Sequence, residues 1–213
     1  MTESREQECC QRWDRHWQAT GRIPGVSRMG RLMFHAKEEG LRRVMVPLRE
    51  DVKTILEVGC GPGHIMAMYQ RLGFAPVGID ISPTAVAICQ ERGLAAVERD
   101  VMEEPGRYDL VSSDGMLEHF LHFEPMAVRM MHLSRRYVLL IQPNHGSFWG
   151  RVLPCLAELI KGEDNILEYN YRMIDFIEVF RRHGFDVVEN RPVFGDVFRI
   201  LLFQSQKMSE HVL

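Results

Sequence analysis

The chain has 213 residues, 46% of them apolar, which suits a single domain whose core needs no disulfide or metal staple. A formal net charge of −3 excludes a general electrostatic pull toward nucleic acid or anionic lipid. Five cysteines with no Cys-x-x-Cys, and a heavily charged stretch over residues 1–14, point to a reducing cytosol, and no apolar run reaches the ~18 residues of a bilayer span.

Residues 1–50 read as helical. Trp13 and Trp17 are four apart and share one helix face, as cover for a sheet or as a lid over a ligand. Residues 21–25, with Pro24, break that pattern. A second helix is predicted over 28–46, where Met29, Leu32, Met33, Leu41, Val44 and Met45 follow a 3.6 period. Residues 1–50 carry ten Arg/Lys against seven Asp/Glu; the remainder carries 16 against 22. A solvated helix face accounts for the basic excess, with a basic rim guiding an anionic substrate as the alternative.

From residue 54 the rhythm changes. Short apolar runs predict strands over 54–59, 76–81, 95–100, 108–113 and 136–142, with helices over 63–72, 83–92 and 124–134. Ser82 before Pro83 supplies an N-cap and a favoured first helical residue. Such alternation implies a doubly wound, mostly parallel sheet with helices on both faces. The amphipathic helix over 172–183 stops at Gly184, and two last strands, 185–191 and 197–206, are close enough to pair antiparallel. The chain is thus one domain: a helical cover (1–50), a core (51–144), a helical segment (145–183) and C-terminal strands (184–213).

The richest signal is at 55–63, Ile-Leu-Glu-Val-Gly-Cys-Gly-Pro-Gly, followed by Gly-Ile-Asp at 78–80. Gly59, Gly61 and Gly63 let backbone approach a ligand, and the helix they open presents free N–H groups and a positive dipole end. Asp80 closes the second strand, where a carboxylate can accept both hydrogen bonds of a ribose diol. A dinucleotide fingerprint would place Gly or Ala where His64 stands, so a pyrophosphate clamp is disfavoured.

With these residues in view, the chain resembles the class I S-adenosylmethionine-dependent methyltransferases, in particular the group related to ubiquinone and menaquinone biosynthesis methyltransferases. The similarity spans about 53–144. It is carried by Glu57-Val58-Gly59-Cys60-Gly61-Pro62-Gly63, Gly78-Ile79-Asp80-Ile81-Ser82, Arg99-Asp100-Val101, Leu117-Glu118-His119 and Pro143-Asn144. The resemblance implies a seven-stranded sheet with its last strand antiparallel and S-adenosylmethionine as cofactor. It implies that Glu57 is a cofactor-binding residue and that the backbone of the turn Gly59, Gly61 and Gly63 passes along the methionine part. Asp80 would hold the ribose, Asp100 the adenine amino group, Ile81 and Val101 the ring faces, and Ser113 the methionine side. His119 and His145, just past strands four and five, are the candidate bases. No metal is expected, because position 115, where such a site would want an acidic ligand, is Gly. His64 is placed to reach the cofactor carboxylate or simply to start its helix. Phe148, Trp149, Tyr169 and Tyr171 would wall an apolar or aromatic acceptor, or fill the underside of the added helix. The expected acceptor is a small molecule, not nucleic acid; residues 112–115 read Ser-Ser-Asp-Gly, without the Asn/Asp-Pro-Pro-aromatic motif. A non-catalytic cofactor-binding module and a nicotinamide-dependent oxidoreductase are the rival readings.

Overall fold

A computed structural model describes residues 3–20, 28–148, 150 and 168–206. The predicted break at 21–25, most of the helical segment after strand five, Trp149 and Cys155 lie outside the described residues.

Seven strands form one sheet: β1 (Ile55–Val58), β2 (Pro76–Asp80), β3 (Ala95–Glu98), β4 (Tyr108–Asp114), β5 (Ser134–Pro143), β6 (Phe185–Val193) and β7 (Phe198–Ser205). Their order is β3-β2-β1-β4-β5-β7-β6. Every pairing is parallel except those of β7, which runs antiparallel to both β5 and β6. Strand order therefore reverses direction between β1 and β4, the place where an open parallel sheet leaves a crevice at its carboxyl ends.

Right-handed crossovers put successive helices on opposite faces once that direction reverses. On one face, α2 (Arg28–Met45) and α3 (His64–Arg71) bury Leu41, Val44, Met45, Ile65 and Tyr69 against Ile55, Leu110, Leu139 and Ile200. On the other, α5 (Glu124–Leu133) and α6 (Met173–Arg182) bury Met130, Phe176 and Phe180 against Leu56, Val111, Val138 and Phe203. The period-2 alternation of β5 feeds both cores, which is why its middle reads as an unbroken apolar run. Two further helices among the described residues are α1 (Glu3–Thr20) and α4 (Pro83–Glu91). Ser82 caps α4 as its sequence predicts, accepting the Ala85 N–H at 3.2 Å. β5 begins two residues earlier than expected, because α5 runs into it at Ser134 with no intervening loop.

Packing leaves no room for a side chain at Gly63, which caps α3 with φ +80°. A Cβ there would lie 2.3 Å from Leu94 Cδ1 and 2.9 Å from Cys89 Sγ. Left-handed strain adds to overpacking, so Gly63→Ala is expected to cost about 2–4 kcal/mol. Chemical denaturation of the purified variant measures this; a loss below about 0.5 kcal/mol would contradict the packing described.

Candidate functional site

A cavity of about 720 Å³ opens at the carboxyl ends of β1, β2 and β4. Its floor is the turn leaving β1. Gly59, Gly61 and Gly63 all take positive φ (65°, 49° and 80°), a region nearly closed to other residues. The turn is stitched to β2: the N–H groups of Gly59 and Cys60 both donate to the Ile79 carbonyl, at 2.9 and 3.1 Å. Gly61 N–H donates to Asp80 Oδ2 at 2.8 Å.

Asp80 is 8% exposed and lines the cavity. Its other oxygen accepts the Ser82 N–H at 2.9 Å. The carboxylate has four lone-pair directions, and the N–H groups of Gly61, Ser82 and Ile81 beside it do not fill them all. Burial raises the Asp80 pKa, and these backbone donors oppose the rise. Ile81, Asp100 and Val101 line the adjoining wall. Asp100 also caps the turn Val101–Glu103, accepting the Met102 N–H at 2.8 Å, so it is a turn residue and a cavity residue together. That wall is braced from behind, where the Arg129 guanidinium donates to the carbonyls of Val101 and Glu104. The buried Glu104 carboxylate gathers Arg99, the Gly106 N–H and the Tyr108 hydroxyl.

The opposite wall is acidic and mostly dry. Glu57 is buried and accepts the Ser112 hydroxyl; desolvation pushes its pKa up to about 8. Asp114, at the end of β4, pairs with Lys37 of α2, whose Nζ lies 2.8 Å from both carboxylate oxygens and 4.1 Å from the Phe198 ring centroid. Lys37 is itself 6% exposed. Glu118 is buried behind this group, its Oε2 without a hydrogen-bond partner, and desolvation takes its pKa to about 8. Desolvation thus keeps Glu57 and Glu118 protonated near neutrality, while the Lys37 ammonium sits against Asp114. His64 lines the cavity at the start of α3, its ring tilted 44° against that of Phe34 with centroids 4.9 Å apart. Its Nε2 is buried and unpartnered, and desolvation lowers its pKa to about 4, so the imidazole is neutral.

Helix α1 closes the cavity from above. Cys10, Trp13, His16 and Trp17 all line it. Asp14 Oδ1 accepts the Ser82 hydroxyl at 2.8 Å and the Thr84 N–H at 2.9 Å, pinning α1 to the start of α4. Cys10 Sγ donates to the Ile81 carbonyl at 3.0 Å. The Trp17 ring rests on Gly61, where a Cβ would approach it to 3.0 Å. The Trp13 indole meets the His119 ring edge-on at 4.8 Å.

The residues expected from sequence divide as follows. Glu57, Gly59, Gly61, Asp80, Ile81, Asp100, Val101 and His119 line the cavity together. Gly63, Ser113 and His145 do not; Gly63 shapes the turn from beneath, and Ser113 faces the α5 side of the sheet, leaving Asp114 and Gly115 to border the opening. His145 Nε2 lies 4.0 Å from Glu168, which does line the cavity. The aromatic wall is also supplied from elsewhere. Tyr171 packs against Phe123 and Phe176 under α6, Phe148 is exposed, and neither they nor Tyr169 reach the cavity. Tyr169 and Tyr171 instead tie their segment to the loop after β4, through Tyr169 N–H to the Glu118 carbonyl and the Tyr171 hydroxyl to Phe120 and Leu121. Trp13, Trp17 and Phe120 take their place. Sequence reasoning missed the Lys37–Asp114 pair, though Lys37 interrupting the apolar stripe of α2 was its signal.

A family model described as a methyltransferase domain matches residues 29–190. The chain is 36% identical over 77 residues to the ubiquinone biosynthesis O-methyltransferase of Paraburkholderia xenovorans, covering 32% of this chain and 33% of that protein. It is 34% identical over 77 residues to the same-named protein of Pseudomonas paraeruginosa, again 32% and 33%. The chain thus matches about a third of the length of these curated relatives. Among solved structures, the magnesium protoporphyrin IX methyltransferase of Synechocystis with bound S-adenosylhomocysteine superposes with a TM-score of 0.72 at 18% identity, over 94% of this chain and 99% of that one. The 1,6-didemethyltoxoflavin-N1-methyltransferase of Burkholderia thailandensis gives 0.66 at 16% identity, over 96% and 91%. At these identities the likeness is one of fold.

The dry acidic wall has a measurable consequence. Glu57 and Glu118 stay protonated in the folded protein up to about pH 8 but ionise near 4.5 when exposed by unfolding. Between those values the unfolded chain binds fewer protons, so stability falls as pH rises. His64 acts oppositely, but only below its ordinary value of 6.5. The melting temperature of ligand-free protein is therefore expected to fall between pH 6.5 and 8, and to fall less in Glu118→Gln. Differential scanning fluorimetry across that range checks this; equal slopes in both proteins would refute it.

Proposed function

Because the chain belongs to this family of methyltransferase domains, we propose that it transfers the methyl group of S-adenosylmethionine to a small-molecule acceptor. The observation that carries this reading is one cavity lined by both a left-handed glycine turn and a buried Asp80 with lone pairs to spare. A ribose diol would satisfy those lone pairs, and Asp100, Ile81 and Val101 stand where an adenine ring would extend from it. His64, neutral and at the positive end of α3, would donate to the carboxylate of the methionine part.

The charge of the lining supports the same cofactor. Among the described residues, Asp80, Glu98, Asp100, Glu103 and Glu168 line the cavity besides the neutral Glu57 and the Lys37-paired Asp114, against one cation, Arg99, which is paired with Glu104 at 2.7 Å. Such a surface suits a sulfonium and offers little to hold an anionic acceptor. The acceptor class we infer is therefore neutral or cationic, with an apolar or planar face resting on Trp13, Trp17 and Phe120. The names of the relatives and structural neighbours, which speak of ubiquinone biosynthesis, magnesium protoporphyrin IX and 1,6-didemethyltoxoflavin, agree with a small molecule.

When bound, the sulfonium supplies an activated methyl group for in-line displacement. What remains for this chain is to position, to keep dry and to move a proton. The floor and the α1 cover hold the acceptor's nucleophile against the methyl, a contribution that can reach several kcal/mol. Covering by α1 also excludes water. Of the two candidate bases, His119 faces the cavity and is the one we assign to accept the acceptor's proton; His145 lies behind Glu168.

Calorimetry with S-adenosylhomocysteine tests the cofactor reading, and the product's appearance in a metabolite panel separates an enzyme from a mere binding module. Asp80→Ala is expected to weaken cofactor binding by about 1.5–3 kcal/mol, the loss of hydrogen bonds to a charged group; unchanged affinity in a folded variant rejects the ribose assignment. His119→Asn is expected to lower kcat by about 10²–10³-fold with cofactor affinity retained. An unaltered kcat removes His119 from the reaction.

A further inference from the structure

Glu168 lines the cavity, and the proposed reaction gives it no part. Asp80 and Asp100 serve the nucleoside half on that reading, and Glu98 and Glu103 stand on the same wall, at the end of β3 and in the turn after it. Asp114 is taken by Lys37, whose Nζ lies 2.8 Å from both of its oxygens. Glu168 sits at the other end. The Tyr169 N–H donates to the Glu118 carbonyl at 2.8 Å, which ties residue 168 to the loop after β4. That loop brings His119 and Phe120 to the cavity, and Trp13 of the roof meets the His119 ring. The Glu168 side chain is half-exposed, and His145 Nε2, at 4.0 Å, is beyond hydrogen-bonding distance of it. A second carboxyl stands behind. Glu118 is 4% exposed, and its Oε2 has no hydrogen-bond partner. Its Oε1 abuts the lining at Gly115, where a Cβ would lie 3.2 Å from it. Gly115 borders the cavity and has no side chain to screen that carboxyl. The negative charge of Glu168 reaches Glu118 and adds to the desolvation that raises its pKa. The aromatic surface has the same preference in charge. Trp13 and Trp17 both line the cavity, stacked with centroids 6.2 Å apart, and indole faces attract cations.

We propose that Glu168, backed by Glu118, anchors a cationic nitrogen of the acceptor, so that the cavity selects planar molecules carrying a protonated amine over their neutral and anionic counterparts. An ammonium docked on Glu168 makes a charge-assisted bond there and brings a donor to the side of the cavity where Glu118 Oε2 lacks one. Lys37 cannot fill that place, because Asp114 holds it. The anchored nitrogen is not the atom that receives the methyl group. An ammonium has donors only and no lone pair to attack with, so the nucleophile is a second group of the same molecule, on the side of His119. The selection by charge follows from the lining of this cavity; naming the selected amine a methyl acceptor rests on the reading above.

Calorimetry at neutral pH compares phenethylamine, which is protonated there, with phenethyl alcohol and with hydrocinnamate, each with and without saturating S-adenosylhomocysteine. The wild type is expected to bind the amine about tenfold more tightly than the alcohol, and the anion least, as befits a charge-assisted bond at a partly exposed carboxylate. Glu168→Gln should bring the amine within about twofold of the alcohol while the alcohol's own affinity holds. Because Glu168 is half-exposed, this variant removes no packing, and an unchanged melting temperature verifies that. Glu118→Gln keeps the shape of the buried group and should narrow the preference to about threefold; a preference unchanged there removes Glu118 from the anchor. Equal affinity for amine and alcohol in the wild type, tighter binding of the anion, no binding of the amine at millimolar concentration, or a preference that survives Glu168→Gln overturns the proposal. If S-adenosylhomocysteine gives no heat while the amine preference stands, the methyl-transfer reading is lost and the anchor is kept.

Discussion

The turn at the end of β1 is the constraint on which the site depends. Three left-handed glycines in five residues would be a floppy segment on their own, because glycine gives up the most backbone entropy on ordering. Here the order is imposed by β2. Its last carbonyl-bearing residue before the carboxylate, Ile79, holds two N–H groups of the turn, and Asp80 holds a third. The same carboxylate that faces the cavity thus fixes the backbone beside it, so a substitution at Asp80 acts on shape as well as on recognition. Gly78 serves the arrangement from below, since a Cβ there would lie 2.4 Å from Met66 Sδ and 2.8 Å from Cys60.

Charge is the second constraint. Gathering the buried Glu57 and Glu118 beside the half-buried Asp114 is tolerable because desolvation neutralises the first two and Lys37 pairs with the third. Lys37 comes from α2, outside the strand–helix repeat, so the N-terminal region is electrostatically part of the sheet's carboxyl edge. The basic excess of residues 1–50 is not a rim for anions at this point of the structure: Lys37 is consumed by Asp114, and Arg42 and Arg43 both pair with Glu39 on the exposed face of α2.

Much of this was legible in the chain. All seven strands announce themselves by apolar runs, and Ser82-Pro83 and Gly184 mark helix ends by side-chain and backbone chemistry that is local. The glycine turn and Asp80 were readable for the same reason: each states a requirement of its own position. What sequence did not give is which distant groups meet. Trp13 and Trp17 were visibly on one face, but nothing local says that this face lies over Gly61. Ser113 looked like a mouth residue, yet one step of strand alternation turns it to the other side and brings Asp114 to the opening. The aromatic residues at 169 and 171 have the right composition for a wall, but Tyr171 is claimed by Phe123 and Phe176.

The two sides of the cavity are built differently. The wall carrying Asp100 and Val101 is clamped from outside by Arg129 and Glu104, in bonds to main-chain atoms that substitution within the cavity leaves intact. The side formed by α1 is held, among the described residues, chiefly by two of that helix's own side chains, Asp14 and Cys10. Sequence drift along that helix can reshape the roof without disturbing any strand pairing. On the proposed reading, a lineage could exchange one methyl acceptor for another at small cost to folding, while the nucleoside half of the pocket stays as it is.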